Sequence, residues 1–525
     1  MGSLRWQEFR ALVDLSSPPI MSSVLVSTMH LTDQVMVGHL GAQELASSAL
    51  AVAFFQMNWL FLLGVGTALD TLASQAFGAK DLGQVKQWAT RTALLLTVLC
   101  VPLASTLWFS DWFLAVVLRQ PSELAAMAGS FCRFMIPGVW FLAMFTVMMK
   151  YLQAQTLMRP PMYVYLAANV FNIPANYLLI YYLDWGFVGA ACAWSATRIF
   201  ACMALGGWVL SDAAEAQSCA LVSTSFSITA LQKEPGEKQH IRLILCSSTR
   251  LGRLRGRGCG SGTANNVRPL FPVVKTGRTR TNKSTRTLGK VFCLCSSDRA
   301  ELLCLAVPGG FMLALESGNM QITLLCAGYL SPISLGAHSI LQTVSNVSFL
   351  CVPYGVEVAI AIRVGNLLGA QKPKRAQVAS QTALFIVAIF TVAFGLWMVL
   401  YACRDHIGWI FSKDPSVQAL VVSDVLPVVV FYQIANGVHV RLCMSNRAQG
   451  VGIGVLRGMG KQTALAVINF IAFWLIGLPL ALSLAFAHNE GVVGLWWGTT
   501  VGLSVALSVY LYLIEGTDWY KVNKI

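Results

Sequence analysis

Residues 61–80 read FLLGVGTALDTLASQAFGAK, and residues 355–372 read GVEVAIAIRVGNLLGAQK. The second phrase rewrites the first. Gln75, Gly78 and Ala79 fall on Asn366, Gly369 and Ala370, a constant 291 residues apart. After a one-residue slip, Thr92-Ala-Leu-Leu falls on Thr382-Ala-Leu-Phe. A second echo follows, Gly186-Phe-Val-Gly189 against Gly491-Val-Val-Gly494. Each echo holds the same place in its half, so the chain consists of two homologous halves in one orientation. The acid of the first phrase, Asp70, has Ala361 at the matching place in the second.

Composition says which solvent the halves fold in. Of 525 residues, 56% are hydrophobic and only 11% charged, with a mean hydropathy of +0.63. A soluble domain carries about 25% charged residues. Stretches such as 383–403, 464–487 and 491–514 hold no formal charge and are long enough to cross a bilayer as helices, the element that satisfies its own backbone hydrogen bonds in lipid. Twelve spans are expected, at 15–37, 46–68, 90–110, 128–149, 162–182, 186–210, 302–327, 337–361, 379–402, 417–438, 464–487 and 491–514. The fold class is thus all-α and polytopic: twelve transmembrane helices in two pseudo-symmetric six-helix lobes.

The polar N-terminus MGSLRWQEFR leads into the first span with no cleavable signal pattern. An even number of spans puts both termini on one side. Loop charges choose that side: 17 Lys and Arg, among them Lys80, Lys150, Arg375, Arg457 and Lys461, share it with the termini, against 4 opposite, Arg119, Arg133, Arg404 and Lys413. By the positive-inside rule the termini are expected to be cytosolic. The net charge of +14 is then mostly topology, and no nucleic-acid partner is implied.

Three segments follow: an N-lobe over 1–211, a basic linker over 212–300 expected to be disordered and cytosolic, and a C-lobe over 301–525. The linker is rich in Gly, Ser, Lys and Arg and shows no periodicity. The fourteen cysteines lie mostly in apolar runs without metal-ligand spacing. The seven histidines do not pair, and no phosphate-cradling GxxxxGK[ST] occurs. Neither a membrane-embedded enzyme nor an ATP-driven pump is expected.

The motifs VGHLG (37–41), ALDTLASQAFGAK (68–80), YLQAQ (151–155), ALE (314–316), RVGNLLGA (363–370), GVLRGMGKQ (454–462), LIGLPLA (475–481) and GTDW (516–519) appear in order. With them the chain resembles the eukaryotic branch of the MATE (multidrug and toxic compound extrusion) family over about 1–211 and 301–525. Against that family the 212–300 segment is too long, and 439–448 looks like an extra stretch. Both are expected to be retained introns in the gene model.

Ionisable groups inside spans are costly and mark function. Glu316 lies in span seven beside Ser317, Asn319 and Gln321. Desolvation there penalises its charged form, so a proton and a cationic substrate would compete for it. The resemblance implies an essential acid at Glu316. In relatives an acid at the place of Asp33 belongs to a network with polar residues of span five. Here Asn172 and Asn176, four apart on one helix face with Pro174 between them, match that network. Where relatives carry further acids, this chain has Asn176, Gln321 and Asn436. Asp70 is expected to bond Thr71 and helix termini, holding lobe geometry together with Gln75, Gly78, Gly369 and Arg457. Arg363 is expected to play the matching part in the second lobe. Arg198 interrupts span six and needs a partner. Trp140, Phe141, Tyr177, Tyr432 and Trp496 are candidates for a drug cleft.

The expected function is secondary active transport: an antiporter driven by a proton or sodium gradient, without a cofactor, exporting small organic compounds, cations first. Parallel repeats suit this, with the substrate site between the halves and alternating access by rocking. The alternatives are a non-transporting isoform and a lipid-type flippase of the same superfamily. The chain is expected to act as a monomer in a plasma or vacuole-type membrane.

Overall fold

The structure, a computed structural model, describes residues 2–211, 297–401 and 449–522. The linker up to residue 296, the 417–438 span with Tyr432 and Asn436, and the 439–448 stretch lie outside the described residues. The helices are α1 (Gly2–Gly38), α2 (Ala42–Gly66), α3 (Ala68–Gly78), α4 (Leu82–Trp108), α5 (Ser122–Ala154), α6 (Arg159–Tyr177), α7 (Gly186–Val209), α8 (Ser297–Leu330), α9 (Pro332–Cys351), α10 (Pro353–Gly369), α11 (Pro373–Tyr401), α12 (Gln449–Gly458), α13 (Gln462–Ala487) and α14 (Gly491–Glu515). No strand occurs among the described residues, and seven helices are long and apolar enough to cross a membrane.

Every expected span but 417–438 falls on a helix, with two corrections. The span expected at 46–68 runs on as α3 after a break at Thr67, whose hydroxyl donates to the Gly64 carbonyl at 2.6 Å. The span expected at 337–361 is two helices, because Val352 leaves the helical conformation before Pro353, which lacks the N–H needed to continue a helix. Residues 297–300, placed in the linker by the sequence, are already helical in α8.

The sequence repeat returns as structural repeat. Lys80 and Gln371, 291 residues apart, both turn the chain at positive φ, 65° and 57°. Gly186 and Gly491 do the same at 51° and 60°, opening α7 and α14. Each of these helices follows a π-helical turn, Leu178–Tyr182 or Ser483–Ala487, and Gly189 and Gly494 let it lie flat on that preceding backbone.

The lobes interlock through their first helices. Leu12 of α1 is buried in the C-lobe core, and Leu302 and Ala306 of α8 are buried in the N-lobe core. Glycines make the close approaches: Gly64 of α2 lies on Gly309 and Gly310 of α8, while its repeat counterpart Gly355 lies on Ser16 and Ile20 of α1. In lipid, where burying apolar surface brings helices no gain over lipid tails, such small-residue contacts allow the close packing that holds helices together.

Candidate functional site

The half-buried N-lobe acid belongs to a hydrogen-bonded group drawn from three helices. Asp33 of α1 accepts hydrogen bonds at Oδ1 from the Asn172 and Asn176 amides of α6, both at 2.9 Å. Asn172 also donates to Thr197 Oγ1 of α7 at 3.3 Å. The second carboxylate oxygen, Oδ2, is buried and has no hydrogen-bond partner among the described residues. Pro174 sits between the two amides in α6, just before the π-helical turn. Asp33 as a residue is half-buried, whereas Arg198 of α7 is buried. Its guanidinium stacks 5.0 Å over Trp194 and approaches Met29 Sδ at 3.9 Å, within electrostatic reach of Asp33 and Tyr165. Thr197 carries no charge and no motif, so the sequence did not single it out.

The C-lobe acid is framed from α13 and α14. Glu316 lies half-buried on α8. In the turn just before it, the Met312 carbonyl accepts from Asn469 at 3.0 Å and the Leu315 carbonyl from Trp474 at 2.9 Å. Tyr510 of α14 donates its hydroxyl to Asn469. Glu357, Arg457 and Tyr510 lie within electrostatic reach of Glu316. Asn319, one turn further along, is fully buried with neither side-chain atom bonded among the described residues, and Gln321 is half-buried beyond it. Of the cleft candidates, Trp140 and Tyr177 are exposed, Phe141 is half-buried, and Trp496 is buried with its ring against His338.

Between the lobes lies a cluster the sequence reading missed in part. Asp70 does not bond Thr71. Its Oδ2 pairs with Lys150 Nζ of α5 at 2.9 Å and with Arg457 Nε of α12 at 3.3 Å. Arg457 Nη1 pairs in turn with Glu357 of α10 at 3.1 Å. Thr71 instead donates to the Arg457 carbonyl at 2.5 Å, and Gln75 to the Gly458 carbonyl at 3.2 Å. All four ionic side chains are at most 7% exposed. The sequence places Lys150 and Arg457 in loops; the structure buries both at helix ends. Arg363 does not mirror Asp70 either. It shares Glu8 of α1 with Arg375, at 2.9 Å from each guanidinium Nε. Partial burial, and then Arg375, Arg363 and Lys80 nearby, push the Lys372 ammonium below its usual range. Gly78 closes on Asn366 and Ala370 and Gly369 on Gln75, so the two equivalent turns sit side by side.

Two homologous lobes of membrane-crossing helices, each enclosing an acid and meeting across a buried ionic cluster, define a multi-pass membrane transporter. The MatE family model matches residues 18–178 and 308–482. That is more than half of the chain, and the chain belongs to this family. Among curated relatives it is 28% identical to multidrug and toxin extrusion protein 1 of Pongo abelii, covering 98% of this chain and 76% of that one. It is 27% identical to protein DETOXIFICATION 39 of Arabidopsis thaliana, covering 98% and 85%. The crystal structure of the eukaryotic MATE transporter AtDTX14 superposes with a TM-score of 0.77 at 23% identity, covering 99% and 98%. A MOP superfamily transporter from Pyrococcus furiosus superposes at 0.73 and 15%, covering 99% and 97%.

Proposed function

We propose that this chain is a proton-coupled antiporter that exports small organic compounds, cations foremost. One observation carries the reading: half-buried Asp33 of α1 has one oxygen held by two amides of α6, and its other oxygen is buried without a partner among the described residues. Such a carboxylate is oriented without being neutralised by a bonded cation, and a proton or small cation can complete it. Glu316 is the second acid, placed in the other lobe where an organic cation and a proton compete for one charge. Sodium is the other coupling ion that the same chemistry admits. The names of the relatives, multidrug and toxin extrusion proteins, support organic compounds as the cargo.

In this reading the lobes are together at the Asp70–Arg457 end, which faces the cytosol with both termini. The acids then load protons from the far side. The lobes rock, the protons leave to the cytosol, and the organic cation takes their place.

The test is uptake of a fluorescent organic cation into everted vesicles under an imposed proton gradient. Gradient-dependent uptake that is lost in Glu316→Gln and in Asp33→Asn supports the reading. Uptake by both variants at the unaltered rate would overturn it.

A further inference from the structure

The ionic cluster between the lobes has a charge balance that depends on Glu357. Asp70 and Lys150 belong to the N-lobe, Arg457 and Glu357 to the C-lobe, and together they sum to zero. Each carboxylate has its tighter partner in its own lobe, at 2.9 Å and 3.1 Å. The cross-lobe contact, Arg457 Nε to Asp70, is longer at 3.3 Å and lacks hydrogen-bond geometry. Closed lobes keep water from all four groups, so the closed arrangement tolerates them only while they balance. Neutralising one carboxylate leaves a net cation enclosed, and parting the lobes lets water reach it.

Resting on the antiport reading above, we propose that Glu357 is the proton-sensitive switch of this lobe contact: charged, it keeps the lobes together; protonated, it releases them.

The groups around Glu357 fit this part. Arg457 faces it from α12, Lys150 from α5 and Asp70 from α3. Glu316 of α8 lies within its reach, with Tyr510 of α14 near both acids, so the switch adjoins the C-lobe acid. Tyr354 is one turn away on α10 itself. From α1 and α11 come Glu8 and Arg375, already paired with each other and with Arg363. On α9, whose last residue is Cys351, His338 lies against Trp496. A proton reaching the Glu316–Glu357 pair therefore changes the charge of the cluster that joins the lobes. For an exporter loading protons from the far side, this is the order needed: the proton arrives first, and the cytosolic side opens after it.

Spin labels at Gln84→Cys and Gln377→Cys, exposed on α4 and α11 near the joined end, report lobe separation in a cysteine-depleted chain in lipid nanodiscs. In the parent, acidification from neutral pH should move population from the short to the long distance, by up to about tenfold per pH unit for one linked proton. Glu357→Gln should occupy the long distance at both pH values. Glu357→Gln combined with Lys150→Met restores the balance with Asp70 and Arg457 alone, and should return to the short distance. A purely packing role for Glu357 would leave the double variant at least as open as the single one, which overturns the proposal. So does a Glu357→Gln variant that keeps the parent's pH response. Flux is read on the same chain in vesicles: pH-driven separation without organic-cation transport leaves the switch standing and removes the antiport reading.

Discussion

Gly369 of α10 lies directly on the backbone carbonyl of Gln75 in α3. Its counterpart Gly78 lies on the carbonyl of Asn366 in the same way. The contact is reciprocal, with each copy of the repeated phrase reading the other across a pseudo-two-fold axis. Ser74 and Gly365, themselves 291 residues apart, touch near that axis. The repeat is therefore more than a record of duplication, because its glycines are the surface on which the lobes close.

A Cβ at either position would meet backbone, which has nowhere to shift cheaply. Overpacking a well-packed contact costs about 1–3 kcal/mol. Gly78→Val and Gly369→Val should each abolish transport while the chain still reaches the membrane and keeps its helix content, because each lobe is intact and only their meeting is blocked. Circular dichroism alongside the vesicle assay checks this; full transport by either variant would contradict it.

The Asp33 site predicts a graded series. Asn172→Ala and Asn176→Ala each remove one donor from Oδ1 and leave the other. Losing one partner of a buried polar group costs about 1–3 kcal/mol, so each variant should lose stability yet keep measurable coupled flux. The double variant should transport no better than Asp33→Asn. Thermal melting in detergent and gradient-driven uptake measure the two effects separately.

How much of this was legible beforehand differs from residue to residue. The Asp33–Asn172–Asn176 group was legible through the family resemblance, which sets an acid at the place of Asp33 against polar residues of span five; the four-residue spacing adds that the two amides share one helix face. Thr197 was not, since a lone threonine in a span usually bonds its own helix, as this one also does to Ala193 at 2.9 Å. Lys150 and Arg457 looked like topology markers, because basic residues near span ends normally sit in loops. What the charge count could not see is that α5 runs on to Ala154 and that Asp70 waits across the packing. Glu357 was missed for a different reason. Position-by-position alignment sets Ala361 against Asp70, whereas the acid is one turn earlier on the same face of α10. Reading faces rather than positions would have found it.

The Asp70–Lys150 pair predicts a non-additive pair of variants. Removing one partner of a buried ion pair costs about 3–5 kcal/mol, whereas replacing both with apolar groups is often close to neutral. Lys150→Met and Asp70→Leu should each lower the melting temperature sharply. The combined variant also removes the cross-lobe partner of Arg457, which keeps Glu357. Its loss should be well below the sum of the two single losses. Additive losses would mean that the two side chains act independently despite their 2.9 Å contact.

Glu8 offers the corresponding test at the N-terminal end of α1. Its side chain is fully buried and holds both Arg363 and Arg375, whose side chains keep 22% and 26% exposure. Because the two cations reach water, removing the acid should cost less than breaking the enclosed cluster: about 1.5–3 kcal/mol, the range for a hydrogen bond to a charged group. Glu8→Gln keeps the shape and loses the charge. It should free the start of α1 from α10 and α11 while the Asp33 site, more than six helical turns along α1, keeps its geometry. Hydrogen exchange should therefore rise over the first turns of α1 and stay unchanged around residues 29–36. An increase over the whole of α1 would show that Glu8 anchors the entire helix rather than its end.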